Sequence, residues 1–132
     1  MITDNIIKNI CYTFKAFIII KPKANTTVSI KKGYTPFINL NNISQLSRVL
    51  SIENLGETEL IKFKNNTGYV IMTLKFKYKP EYISKGEIFI LRDHNINAFG
   101  IILETIEMEN DVNAKADYIK KKNRHKNKNK NK

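Results

Sequence analysis

Arg92, Asp93 and His94 stand in a row in "FILRDHNINAFGII" (89–102), between two apolar runs. A histidine beside a carboxylate is a pairing that general-base catalysis uses. On that reading His94 acts as a base oriented by Asp93, near Arg92. A turn accounts for the same residues. Asp93, His94 and Asn95 would join a strand at 87–93 to one at 96–106, because Asp and Asn bond to their own backbone and tolerate turn conformations. Neighbours on a strand face opposite ways, so Arg92 and Asp93 would not converge on one substrate, and no nucleophile stands nearby. The triplet is therefore expected to be a turn, with Arg92 pairing across the barrel, and no catalytic residue is assigned.

Other chemistry finds little support. A phosphate-binding loop needs Gly-x-x-x-x-Gly-Lys-Ser/Thr, and the five glycines, at 33, 56, 68, 86 and 100, do not have that spacing. The dinucleotide fingerprint is also missing. Metal sites need clustered Cys, His or acidic ligands. Two scattered histidines and one cysteine lead us to expect no metal and no cofactor. Cys11 lies inside an apolar run and is expected to be a buried, inert thiol. That suits a reducing compartment, the cytoplasm. The N-terminus lacks a basic region followed by a long apolar stretch, so no secretory leader is expected. "AFIII" (16–20), the longest apolar run, is far below the ~20 residues that span a bilayer, so no membrane partner is expected.

Charge is the stronger signal. The chain of 132 residues carries a net charge of +11. Residues 115–132 hold nine Lys or Arg and one Asp; the remainder holds fourteen basic and eleven acidic residues. The body is mildly basic and the tail, with Lys120, Lys121, Lys122 and Arg124, is a polycation. Such a tail favours RNA, DNA or an acidic surface; it also suits a solubilising role or nuclear import. Within the body, Lys75, Lys77 and Lys79 fall on the polar side of one expected strand. They make either a solvated face or a stripe for RNA phosphates. Lys31 and Lys32 flank the Gly33–Tyr34 bend and would extend such a stripe, with Tyr34 packed at a rim or stacked on a base.

The elements that must position these groups read as strands. "ICYTFKAFIIIK" (10–21) places Tyr12, Phe14, Ala16, Ile18 and Ile20 on one face. "GYTPFINL" (33–40) carries Pro36 and is expected at an edge or bulge. "SQLSRVLSIE" (44–53) and "TELIKFK" (58–64) follow, with turns at 54–57 and 65–68. "YVIMTLKFKY" (69–78) alternates most regularly: Val70, Met72, Leu74, Phe76 and Tyr78 share a side. "KPEYISKG" (79–86) breaks the run, and 87–93 and 96–106 complete the set. The pattern predicts an all-β fold, a small antiparallel closed barrel of six to seven strands over residues 10–106. Residues 1–9 form a leading segment. Residues 107–132 form a polar, basic tail, partly helical and then disordered by composition. The aromatic side chains of the barrel are expected to face inward.

The order of these features resembles the third domain of translational GTPases of the elongation factor Tu and elongation factor one-alpha class. Phe14-x-Ala16 opens a strand, Gly33-Tyr34-Thr-Pro36 follows a loop, and Arg92-Asp93 precedes a short turn and Ala98-x-Gly100-x-Ile102. Pro80, Glu81, Tyr82 and Ile83, with Asn97 and the basic tail, are similar to the GTP-binding-protein one/two branch. The resemblance covers about residues 10–106. It implies a six-stranded antiparallel barrel that contacts tRNA or ribosomal RNA, or docks on a GTPase core domain or a separate GTPase subunit. The nucleotide-binding domain of that family is not in these residues, so the implied module does not hydrolyse GTP by itself. A protein–protein docking module with the tail as a localisation signal is the alternative.

Overall fold

Residues 9–64, 66–93, 96–108 and 111 are those that the computed structural model describes. Period-two alternation turns most of them into ten strands. They are β1 (Asn9–Cys11), β2 (Thr13–Pro22), β3 (Thr27–Lys31), β4 (Phe37–Leu40), β5 (Ile43–Ile52), β6 (Leu60–Lys64), β7 (Gly68–Phe76), β8 (Glu81–Ile83), β9 (Ile88–Asp93) and β10 (Ile96–Ile106). Six of them close a barrel in the order β10-β2-β7-β5-β4-β9, and every pairing around it is antiparallel. Closure leaves none of the six as a sheet edge. The other four form two-stranded ribbons, β1 with β8 and β3 with β6.

The expected closed barrel is therefore present, with its strand count at six. The span 10–21 differs from expectation: it is two strands, broken at Tyr12, with β1 leaving the barrel to pair with β8. The 33–40 segment is corrected too. Only Phe37–Leu40 is strand, and it is paired on both sides, with β5 and β9, so it is not an edge. Pro36 lies just ahead of it, where no ladder donor is needed. The Pro36 carbonyl accepts from the Ser47 backbone N–H at 2.9 Å and from Ser47 Oγ at 3.0 Å. The loop at 21–27 is shorter than expected, because Thr27 already opens β3.

Inward-facing positions fill the barrel. Phe14 is fully buried, packing on Phe76 with ring centroids 5.1 Å apart and edge-on to Phe89 at 5.7 Å. Phe89 in turn lies over Gly100, its partner in the β9–β10 register. A Cβ on Gly100 would meet the Phe89 ring at 2.1 Å, so only a glycine lets that ring cross the strand. Ala16 is equally buried, between Ile102 and Met72 in register. The residues that carry the Phe-x-Ala and Ala-x-Gly-x-Ile patterns thus share one core.

Polar groups close one barrel end. Gln45 faces inward and is buried. Its Oε1 accepts from the N–H groups of Tyr78 and Lys79 at 3.1 and 3.3 Å. Its Nε2 donates to the Lys79 carbonyl at 3.1 Å and to Glu81 Oε2 at 2.9 Å. Tyr78, Lys79 and Glu81 are held by this network, so Glu81 has a structural role. Tyr78 and Tyr82 point outward, 60% and 63% exposed, which corrects the expectation for Tyr78.

Candidate functional site

The loop 32–36 is fixed by its backbone. The Gly33 N–H donates to the Val49 carbonyl at 2.8 Å, and the Val49 N–H donates to the Tyr34 carbonyl at 2.8 Å. Gly33 has φ +95° with open space around its Cα, a left-handed conformation that glycine adopts at no steric cost. The bend aims Tyr34 at the end of β9, where its hydroxyl donates to Asp93 Oδ2 at 2.6 Å. Burial, and then the bond and charge of Asp93, push the Tyr34 hydroxyl well above its ordinary value. It therefore stays protonated, and a donor, throughout the physiological range.

That clasp joins the Gly33–Tyr34 bend to the Arg92–Asp93 pair. Beside it, Arg92, Phe37 and Leu46 are register partners on β9, β4 and β5, and together with Tyr34, Thr35, Asp93 and Lys23 they line an open groove. Arg92, Phe37 and Lys23 are exposed. The row continues round the barrel. Asn97 pairs with both Arg92 and Lys21, and the Lys77 N–H donates to the Leu46 carbonyl at 2.9 Å. The groove thus carries Lys23 and Arg92 beside exposed Phe37, with Lys21 two strands from Arg92; Lys77 lies past the opposite end of the β2–β7 ladder. Such a surface can hold an anionic backbone, with the ring offering a stacking or packing face.

The other basic candidates fall elsewhere. Strand β7 ends at Phe76, so Lys75, Lys77 and Lys79 are not one strand face. The Lys75 ammonium lies 5.7 Å from the Tyr12 ring centroid and that of Lys77 lies 5.7 Å from that of Tyr78. Lys31 ends β3 and Lys32 follows it, both on the β3–β6 ribbon; Lys32 Nζ is 3.2 Å from Glu57 Oε1. Lys21, Lys23 and Phe37 were not picked out from the sequence. Alternation marks them as outward, yet nothing local says that they meet Arg92. His94 and Asn95, Lys120, Lys121, Lys122, Arg124 and the tail helix lie outside the described residues, so the turn reading of the charged triplet rests on Arg92 and Asp93 ending β9. Arg92 makes no ion pair with a described residue. Among the described residues no three His, Cys, Asp or Glu cluster as metal ligands.

Cys11 is fully buried. Its thiol is pushed up from 9.0 to about 12, first by burial and then by the Asp111 carboxylate, which accepts from Thr13 Oγ1. A thiol-specific reagent at about pH 8 should leave the folded protein unlabelled and label it promptly in denaturant. The raised value favours the protonated, folded form. Stability from this group is complete below pH 9 and is lost as pH climbs towards 12. Melting curves over that range should fall less steeply for Cys11→Ala.

A second surface was not foreseen. On the outside of β9, β10, β2 and β7 the register sets Ile90, Phe99, Ile19 and Tyr69 in one row. Ile88, Ile101, Phe17 and Ile71 form the row beside it. Phe17 and Tyr69 stack with centroids 5.4 Å apart. Tyr69 is 68% exposed, Ile88 69% and Phe99 59%, which corrects the expectation that the aromatic side chains face inward. No protein-family model matches the chain, and no curated protein matches it.

Proposed function

We propose that this chain is a non-catalytic β-barrel module of the third-domain type of elongation-factor-like GTPases, and that it contacts the backbone of tRNA or ribosomal RNA. The observation that carries the reading is the groove at the barrel end, where the Tyr34–Asp93 clasp sets Arg92 beside Phe37. Arginine matches phosphate geometry with its planar fork, and structured RNA is read through backbone and shape rather than through a base-specific pocket. Lys21 and Lys23 extend the positive rim, and the C-terminal polycation adds sequence-independent affinity. A cytoplasmic site of action accords with these partners.

Titration of the full chain with tRNA tests it. Arg92→Glu should weaken binding about tenfold at ~0.1 M salt and lower the salt slope by about one. The same charge change at Lys62, exposed on the β3–β6 ribbon, should have much less effect. Equal losses from the two variants would mean that net charge alone matters and would remove the groove.

A second reading is a protein-docking module, favoured by the apolar outer face. A cross-linked partner captured by the wild type and lost in Ile88→Lys is the outcome that this reading requires.

A further inference from the structure

We infer that the outer face of β9, β10, β2 and β7 pairs with the same face of a second copy of this chain. This takes the docking reading one step further by naming the occupant. Two features of the face require some occupant. Both rows are wholly apolar across four adjacent strands. Six of the eight side chains are between 36% and 69% exposed. At 150–250 Å² per large ring and somewhat less per isoleucine, the face offers on the order of 700 Å². Monomers rarely leave so much contiguous apolar surface in water, and a standard interface takes about 800 Å² from each partner.

Its borders say what fits. Lys21, Asn97 and Arg92 follow the first row; Lys15, Thr73 and Glu104 follow the second, with Lys15 Nζ 3.8 Å from Glu53 Oε2. One end is therefore basic and the other carries two carboxylates against one lysine. A two-fold axis lying in the face, across the strands and between the two rows, superposes apolar rows on apolar rows. It also brings the basic end of each copy over the acidic end of the other. An isologous dimer needs this self-complementarity. A lipid surface fits less well. Two rows along a strand are about 7 Å tall, against the ~25 Å apolar band of a membrane-spanning barrel.

Sedimentation equilibrium of the full chain, in moderate salt to screen its net charge, is the test. The wild type should pass from 15.3 kDa to twice that mass as concentration rises to about 200 µM. Phe99→Lys should stay monomeric at the same concentrations, with an unchanged circular dichroism spectrum, since its side chain stands outside the core. Lys21→Glu and Glu104→Lys should each weaken association several-fold, and the double variant should recover most of the loss. A wild type that is monomeric throughout, or a Phe99→Lys variant that dimerises as well, would overturn the second copy as occupant. A monomer that still captures a partner lost in Ile88→Lys would leave the docking reading standing, and loss of both would remove it. Because Lys21 and Arg92 border both this face and the groove, the RNA titration is read at protein concentrations where the chain sediments as a monomer.

Discussion

Phe14→Ala should destabilise the protein by about 3–5 kcal/mol, the range for removing a buried aromatic ring from a core that cannot collapse onto the space. Phe14 touches Phe76 on β7 and Phe89 on β9, so its ring bridges strands on different sides of the barrel. The surroundings have little room to relax. Phe89 is already pinned against Gly100, and the closed hydrogen-bond ladder resists inward movement of either strand. For a domain of ~100 residues the loss corresponds to a fall in Tm of roughly 15–30 °C. Tyr78→Ala removes a ring that is 60% exposed and should stay within about 0.5 kcal/mol of the wild type. Thermal or denaturant unfolding of the two variants checks the contrast. A loss below about 1 kcal/mol for Phe14→Ala would mean that the barrel interior is less tightly filled than these ring contacts require.

The elements that could be read from the sequence are those in which apolar and polar residues alternate without ambiguity. In β7, Val70, Met72, Leu74 and Phe76 are buried while Thr73 and Lys75 are not, and the 96–106 segment became β10 with both bounds as expected. Strand β5 was harder. Its inward residues include Gln45 and Ser47, whereas Leu46 and Leu50 are half-buried on the outside. Polar side chains can face a barrel end when the backbone there supplies their partners, and composition does not reveal those partners. The bulge between Val49 and Ser51 then switches the phase of the strand, so a single period fails along its length.

The same limit hid both candidate surfaces. In "AFIII" both phases of the alternation are apolar, so Phe17 and Ile19 could not be told from Ile18 and Ile20; only closure shows which pair faces out. Strand β9 has the same ambiguity at Ile88 and Ile90. The Tyr34–Asp93 bond spans 59 residues and depends on β4 lying between β5 and β9. The glycine, tyrosine, arginine and aspartate were visible as residues, but their meeting was a property of strand order. Acidic residues were no better guides. Glu81 reads as a charged surface residue, yet Gln45 Nε2 donates to it beneath the 78–81 loop.

Deleting residues 115–132 should weaken RNA binding on the order of 10³-fold at ~0.1 M salt, if most of their nine Lys and Arg side chains each meet a phosphate. The size follows from counterion release. Each neutralised phosphate adds about 0.7–0.9 to the slope of log affinity against log salt, so losing six or more contacts removes a slope of about four or more. The remaining slope should be about two to three, set by Arg92 and its lysine neighbours at the barrel end. The two contributions separate cleanly in a salt titration of four proteins. The full chain, its Arg92→Glu variant, the truncated chain and the truncated variant should lose affinity additively, because the groove and the tail act on separate phosphates. Raising salt should shrink the penalty of truncation faster than that of Arg92→Glu, since a positioned guanidinium keeps its hydrogen bonds when long-range attraction is screened. Equal slopes for full and truncated chains would show that the tail does not touch the nucleic acid, and would leave the barrel end as the whole interface.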